Sequence, residues 1–92
     1  MGKAVVKEEG GKLFAVEVNC LRMQITDVKI SGDFFAYPEE LVERVEAALR
    51  GASLNEGAVT SALKGELERV GGTFVGVKLG TIVKAVLQAG SA

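Results

Sequence analysis

Histidine is absent from this chain of 92 residues, and cysteine, proline and aromatic residues are scarce. Without histidine, the chain lacks the commonest general base, the commonest zinc ligand and every Ser-His or Cys-His nucleophile arrangement. Its single cysteine, Cys20, excludes an internal disulfide and a metal site built from several cysteines. The composition therefore predicts neither a catalytic site nor a metal site in this chain.

The chain also lacks an excess of charge of one sign. Its 11 basic residues are scattered among 12 acidic ones, and the net charge is −1. Nucleic-acid binding normally requires a concentrated basic face, since phosphate neutralisation dominates that affinity. The N-terminal residues contain no long apolar run, so they predict neither a signal peptide nor a membrane span. We expect a cytoplasmic protein that binds neither nucleic acid nor membrane.

The first third of the chain has the two-residue alternation of β-strands. Ala4–Val6 begins a strand, and Gly10-Gly11 suits a hairpin turn. Alternate residues from Phe14 to Cys20 form the apolar face of a second strand. In a third strand that continues through Phe35, alternate residues from Thr26 to Phe34 share the buried face. The pattern predicts an antiparallel meander of three strands.

From Pro38 the apolar spacing becomes helical. Pro38 suits the first position of a helix, because its missing N–H needs no partner there. Asn55 is predicted to cap a second helix that ends at Gly71-Gly72, and Thr81 to cap a short last helix. Residues 73–77 fit either a strand or an extended connection. The predicted fold is one α+β domain over residues 1–92, with two to three helices packed on one face of a small three-stranded sheet.

Three of the five aromatic residues cluster at the junction between the sheet and the first helix, beside Gly32 and Asp33. An Asp after Gly at a strand end commonly caps a turn through its own side chain. Asp33 also remains open as a contact to a partner, whereas acid–base catalysis would need a second acid that does not lie near it in sequence. We favour the structural role.

The aromatic residues of this junction divide by strand phase. Phe34 is in phase with the buried residues of the third strand, so it is predicted to enter the core. Phe35 is out of phase and is left open between packing on the helix and an interface. Tyr37 precedes the helix and is the best single candidate for contact with a partner.

Four segments carry a resemblance to a known family: Gly10–Leu13, Val28–Phe35, Pro38–Leu41 and Glu46–Gly51. Together they resemble the C-terminal accessory domain of lipoate–protein ligases, above all the form in which this domain is a separate small subunit. The resemblance extends over residues 10 to 88 or so. Its most specific part is the Ile-x-Gly-Asp-Phe-Phe sequence that ends in Phe35.

The resemblance implies a non-catalytic accessory subunit that forms a heterodimer with a catalytic lipoate–protein ligase subunit. That partner is expected to hold ATP, Mg and lipoate, so that lipoate is activated to lipoyl-adenylate and passed to a lysine of a lipoyl-domain protein. No cofactor is expected on this chain alone. The interface candidates are Asp33, Phe35 and Tyr37, and the structural motif comprises Gly32, Phe34 and Pro38.

The alternative is a small α+β ligand-binding or carrier module without a ligase partner. Such a module needs an apolar pocket with a few convergent polar groups. The sequence alone does not reveal a pocket of that kind.

Overall fold

A computed structural model describes residues 2–8, 10 and 12–91 of the chain. Its main sheet contains β1 (Gly2–Lys7), β2 (Leu13–Leu21) and β3 (Gln24–Gly32), paired antiparallel in the order β1-β2-β3. The predicted meander is therefore confirmed. Gly11, which forms half of the predicted hairpin turn, lies outside the described residues.

A β-bulge changes which residues of β3 face the core. The register shifts between Asn19 and Cys20 of β2, so that Asn19 pairs with Asp27 while Cys20 pairs with Ile25. Thr26 is left unpaired and exposed, with its hydroxyl donating to the Asn19 carbonyl at 3.1 Å. The prediction that Thr26 lies on the buried face was wrong, because the extra residue moves Ile25 into that position.

Three helices cover one face of this sheet. They are α1 (Leu41–Leu49), α2 (Glu56–Val70) and α3 (Leu79–Gly90). The first packs on β3, the third packs on β1 and β2, and α2 bridges the other two helices. This arrangement confirms the predicted α+β fold class. Among the described residues, no helix is both long enough and apolar enough to span a membrane.

The core lies between the helices and the inner face of the sheet. Its largest fully buried side chains are Phe14, Ile25, Leu41, Leu49, Leu63 and Ile82. The opposite face of the sheet carries a polar row across the three strands, because Lys3 pairs with Glu17 and Glu17 pairs with Lys29. This alternation between an apolar and a polar face is typical of an antiparallel sheet with one side in solvent.

A second, smaller sheet follows the first and was not predicted as a separate element. β4 (Phe35–Tyr37) pairs antiparallel with β5 (Thr73–Val75). The prediction that the third strand continues through Phe35 was wrong, because β3 ends at Gly32. Gly32 has a φ of 146°, and a β-carbon there would overlap the Leu13 carbonyl oxygen, so the chain turns out of the main sheet at a position that only glycine fits.

The start of α1 also differs from the prediction. Pro38 was expected at the first helical position, but α1 begins at Leu41. Tyr37 is still part of β4, so the intervening residues are needed to turn from the strand into the helix. The Pro38 carbonyl accepts the Leu41 N–H at 2.9 Å within this turn.

The other helix ends test two predicted caps. Asn55 caps α2 as predicted, with its side-chain oxygen accepting the Ala58 N–H at 2.8 Å. The prediction that Thr81 caps α3 was wrong, because Thr81 lies inside the first turn of that helix. Its hydroxyl donates instead to the Glu8 carboxylate at 2.9 Å. Glu8 also accepts the Lys78 backbone N–H at 2.7 Å. That hydrogen bond, followed by the Thr81 hydrogen bond and the Lys78 charge, lowers the pKa of Glu8.

Candidate protein-binding surface

The outer side of the small sheet presents three large apolar side chains to solvent. Phe35 lies directly opposite Val75 in the register of β4 and β5, and Tyr37 follows two residues later on the same side of its strand. Phe35 and Tyr37 are each 71% exposed, and Val75 is 57% exposed. We call Phe35, Tyr37 and Val75 the exposed apolar face.

A row of aromatic rings supports this face from beneath. The Phe34 ring lies 5.5 Å from the Phe14 ring in the core and 5.6 Å from the Phe74 ring, measured between centroids. Phe74 in turn pairs with Ala36 on the inner side of the small sheet. Offset and edge-to-face contacts at these distances are favourable for aromatic pairs. The small sheet that carries the exposed apolar face therefore packs directly against the core.

Close backbone packing fixes the small sheet against α1. A β-carbon at Gly72 would lie 2.7 Å from the Leu41 side chain and 3.1 Å from the Tyr37 carbonyl oxygen. Any larger residue at position 72 would require the Leu41 side chain or the backbone beside Tyr37 to shift. Gly72 thus allows β5 to begin directly beside Tyr37.

Asp33 occupies an exposed position just before the small sheet. Its backbone N–H donates to the Leu13 carbonyl at 2.9 Å. In the part of the chain that the structure describes, its carboxylate forms no hydrogen bond and no ion pair. The backbone of Asp33 closes the turn that the sequence assigned to its side chain, which leaves that side chain available to a partner.

The structure brings the residues selected from sequence into one region. Phe35 and Tyr37 lie on the exposed apolar face, whereas Phe34 is half-buried against the core and Gly32 forms the corner before it. Pro38 follows in the turn to α1. Contact of Asp33, Phe35 and Tyr37 with a partner remains a prediction.

Val75, the third member of the exposed apolar face, was not predicted from sequence as an interface residue. The pairing that brings it beside Phe35 joins strands from opposite halves of the chain. The only available signal was the alternation of Thr73, Phe74 and Val75, which fits a strand but does not identify its neighbour.

A group of charged side chains lies near the Tyr37 end of this face. The Glu66 carboxylate on α2 lies 3.7 Å from Arg44 Nη1 on α1 and 3.4 Å from Arg69 Nη1 on α2. Arg44 is one helical turn beyond Leu41, and Arg69 is three residues before Gly72. The Gly72 β-carbon position lies beside the Leu41 side chain and the Tyr37 carbonyl oxygen, so both arginines belong to helices that reach the small sheet near Tyr37.

A cleft lies elsewhere, between α2 and the start of α3. This cleft has a volume of about 660 Å³ and is lined by Lys64, Lys78 and Lys84, with Leu79 and Val83 as its apolar part. Glu56 lies on the same lining, so the charge of the cleft is mixed. Its composition does not select a ligand.

Comparison with known proteins identifies the family. Residues 7–85 match the family described as bacterial lipoate protein ligase C-terminus. The chain belongs to this family. The family resemblance stated from sequence is thereby confirmed.

Two relatives from Thermoplasma acidophilum carry the comparison further. One is named lipoate-protein ligase A subunit 2 and is 37% identical over 47% of this chain and 57% of its own length. The other is a chain of a solved structure described as a bi-partite lipoate protein ligase and its E2 lipoyl domain, from an archaeal lipoylation system. It superposes with a TM-score of 0.77 at 27% identity, covering 94% of this chain and 92% of that chain.

Proposed function

We propose that this chain is the accessory subunit of a two-part lipoate–protein ligase. It binds a separate catalytic subunit, is not catalytic by itself and is needed for the ATP-dependent activation of lipoate to lipoyl-adenylate. The observation that carries the proposal is the exposed apolar face, a rigidly supported aromatic surface on a chain of the ligase C-terminus family.

The relatives support a subunit of a larger enzyme. One is named as a second subunit, and the other comes from a ligase described as having two parts. The superposition covers 94% of this chain and 92% of that solved chain. The family that this chain matches is described as the C-terminus of the ligase, which also supports a part of a larger enzyme.

The exposed apolar face has the character of an interface centre. Tyrosine and phenylalanine are enriched at the centres of protein interfaces, where few residues contribute most of the binding energy. A stable interface buries about 800 Å² on each partner, and three side chains supply only part of that area. The contact therefore extends to the surrounding surface, which includes Asp33.

The chemistry of the reaction belongs to the partner. ATP, Mg and lipoate bind the catalytic subunit, where the lipoate carboxylate attacks the α-phosphorus of ATP and pyrophosphate leaves. The lipoyl group then passes from the adenylate to a lysine of a lipoyl-domain protein. The accessory subunit contributes by stabilising the catalytic subunit in the conformation that forms the adenylate. We place this heterodimer in the cytoplasm, consistent with a chain whose single cysteine is free.

Lipoate-dependent exchange between ATP and pyrophosphate tests this function directly. The catalytic subunit from the same source is assayed alone and with this chain. We expect exchange to require both chains, and the two chains to co-purify. Equal exchange by the catalytic subunit alone would refute the accessory role. Tyr37→Ala and Asp33→Ala variants, assayed beside the wild type, then show which side chains the partner needs.

Thermal stabilisation separates this function from a carrier module. A ligand that binds the folded chain but not the unfolded chain raises its melting temperature, and the rise grows with the logarithm of the ligand concentration above Kd. We expect lipoate, ATP and lipoyl-adenylate to leave the melting temperature of the isolated chain unchanged, and the catalytic subunit to raise it. Stabilisation by one of the small molecules alone, with loss in Lys64→Gln or Lys84→Gln, would instead favour ligand binding in the lysine-lined cleft.

A further inference from the structure

Glu66 is the one charged side chain that the fold buries among the described residues. Burying a carboxylate costs free energy unless opposite charges or hydrogen bonds compensate it. Its compensation comes from two arginines on different helices, Arg44 and Arg69. An apolar residue would fill the space between α1 and α2 without this cost, so packing alone does not account for a carboxylate at position 66.

The two arginines keep most of their binding capacity. Their side chains are 51% and 73% exposed, although both are paired with the buried carboxylate. A guanidinium group has five N–H donors, and contacts of 3.4 and 3.7 Å occupy at most one on each side chain. Two positive charges against one negative charge also leave one positive charge uncompensated.

Acidic residues nearby do not supply the missing partner. Glu40 is one turn before Arg44 on the same side of the chain, but only its backbone carbonyl bonds Arg44, through the Arg44 N–H at 3.0 Å. In residues 2–8, 10 and 12–91, the only carboxylate within 4.0 Å of either guanidinium is that of Glu66. The remaining donors of both side chains are therefore open to solvent and to a binding partner.

We propose that Glu66 is a positioning residue, which holds Arg44 and Arg69 in place to bind a carboxylate of the catalytic subunit. This proposal rests on the proposed function and adds a charged rim to the exposed apolar face. Two arginines fixed by one buried acid match an Asp or Glu side chain on the partner, because guanidinium groups bind carboxylates with directed donors. The partner surface then has an apolar centre and an acidic side chain next to the position of Tyr37.

Binding to the catalytic subunit at two salt concentrations tests the proposal. The triple variant Arg44→Gln/Glu66→Gln/Arg69→Gln removes the whole charged group and lowers the net charge by one. We expect its Kd to rise about tenfold at 0.05 M salt, as for loss of an interfacial charge pair, and this loss to shrink at 0.5 M salt. Arg50→Gln is the matched control, because it also lowers the net charge by one but breaks only the distant pair with Asp27.

The control variant should change Kd by less than about twofold. If the folded triple variant binds as tightly as the wild type, or if Arg50→Gln weakens binding equally, the proposal is wrong and the charged group only joins α1 to α2. Arg69→Gln keeps the Arg44 pair and hence the packing between α1 and α2, so its expected loss of about threefold covers the case in which the triple variant does not fold. Failure of the wild type to bind would refute the proposed function instead.

Discussion

The two sheets of this protein differ in the side chains that their outer faces show to solvent. The three-stranded sheet buries one face under helices, and its other face mixes a polar row of Lys3, Glu17 and Lys29 with the exposed apolar side chains of Val5 and Leu13. The two-stranded sheet shows solvent Phe35, Tyr37 and Val75. Both inner faces join the same core, so the difference lies in what each outer face meets. The first face is mixed in polarity, as a solvated surface usually is, and the second has the aromatic character of an interface centre.

The contrast predicts different costs for removing an aromatic ring from each region. Phe14 is fully buried, so Phe14→Ala should lower the free energy of unfolding by about 3–5 kcal/mol. Phe35→Ala should change it by less than about 0.5 kcal/mol, because the ring is mostly in solvent. Urea denaturation measures both. Equal losses would show that Phe35 is packed in the isolated chain, which contradicts its assignment to a free face.

The corner between the two sheets should be the next most sensitive position. Gly32→Ala should cost about 2 kcal/mol or more, because alanine is strained at this φ and its β-carbon meets the Leu13 carbonyl. Gly65→Ala is the control, since Gly65 lies in α2 with open space around it. That change should stabilise the chain by up to about 1 kcal/mol. Effects of the same sign in thermal unfolding would refute this account of the corner.

The smallest predicted effect concerns the contact between Glu8 and the start of α3. The pKa of Glu8 is lowered in the folded chain, first by the hydrogen bond from the Lys78 backbone N–H. The ionised carboxylate therefore stabilises the fold above the ordinary pKa of about 4, and this contribution disappears as the pH falls through the lowered value.

Comparison of the wild type with Glu8→Gln checks this pH dependence. The difference in their free energies of unfolding should be constant between about pH 5.5 and about pH 7.5, because Glu8 is ionised there in both the folded and the unfolded chain. It should shrink below about pH 4. A Glu43→Gln variant removes the same charge from an exposed position on α1. The same shrinkage in that variant would assign the effect to net charge.

Much of the fold follows from the sequence because local patterns determine it. The alternation in β2, the glycine at the end of α2 and the Asn55 cap each depend on neighbours in the chain, and the structure shows all three. The wrong predictions concern features that depend on contacts between residues far apart in the chain. The β-bulge beside Thr26 and the pairing of Tyr37 with Thr73 depend on strand register, which a single-strand pattern does not contain.

Only part of the candidate surface could be predicted from sequence, because the rest depends on contacts between distant residues. Strand phase separated Phe34 from Phe35, and the position of Tyr37 marked it as exposed. Val75 is distant from Phe35 in the chain, and Glu66 is distant from Arg44, so only the assembled fold brings each pair together. The most specific part of the family resemblance, Ile30 to Phe35, includes the glycine that forms the corner below this surface.

The most direct measurement is the affinity of the catalytic subunit for two double variants, obtained by calorimetry. Phe35→Ala/Tyr37→Ala removes two exposed side chains from the exposed apolar face. Leu21→Ala/Met23→Ala removes two side chains of similar exposure from the β2–β3 turn. We predict a loss of at least about 2 kcal/mol for the first and almost none for the second. Unchanged affinity in the folded Phe35→Ala/Tyr37→Ala variant would contradict the assignment of this face to the partner.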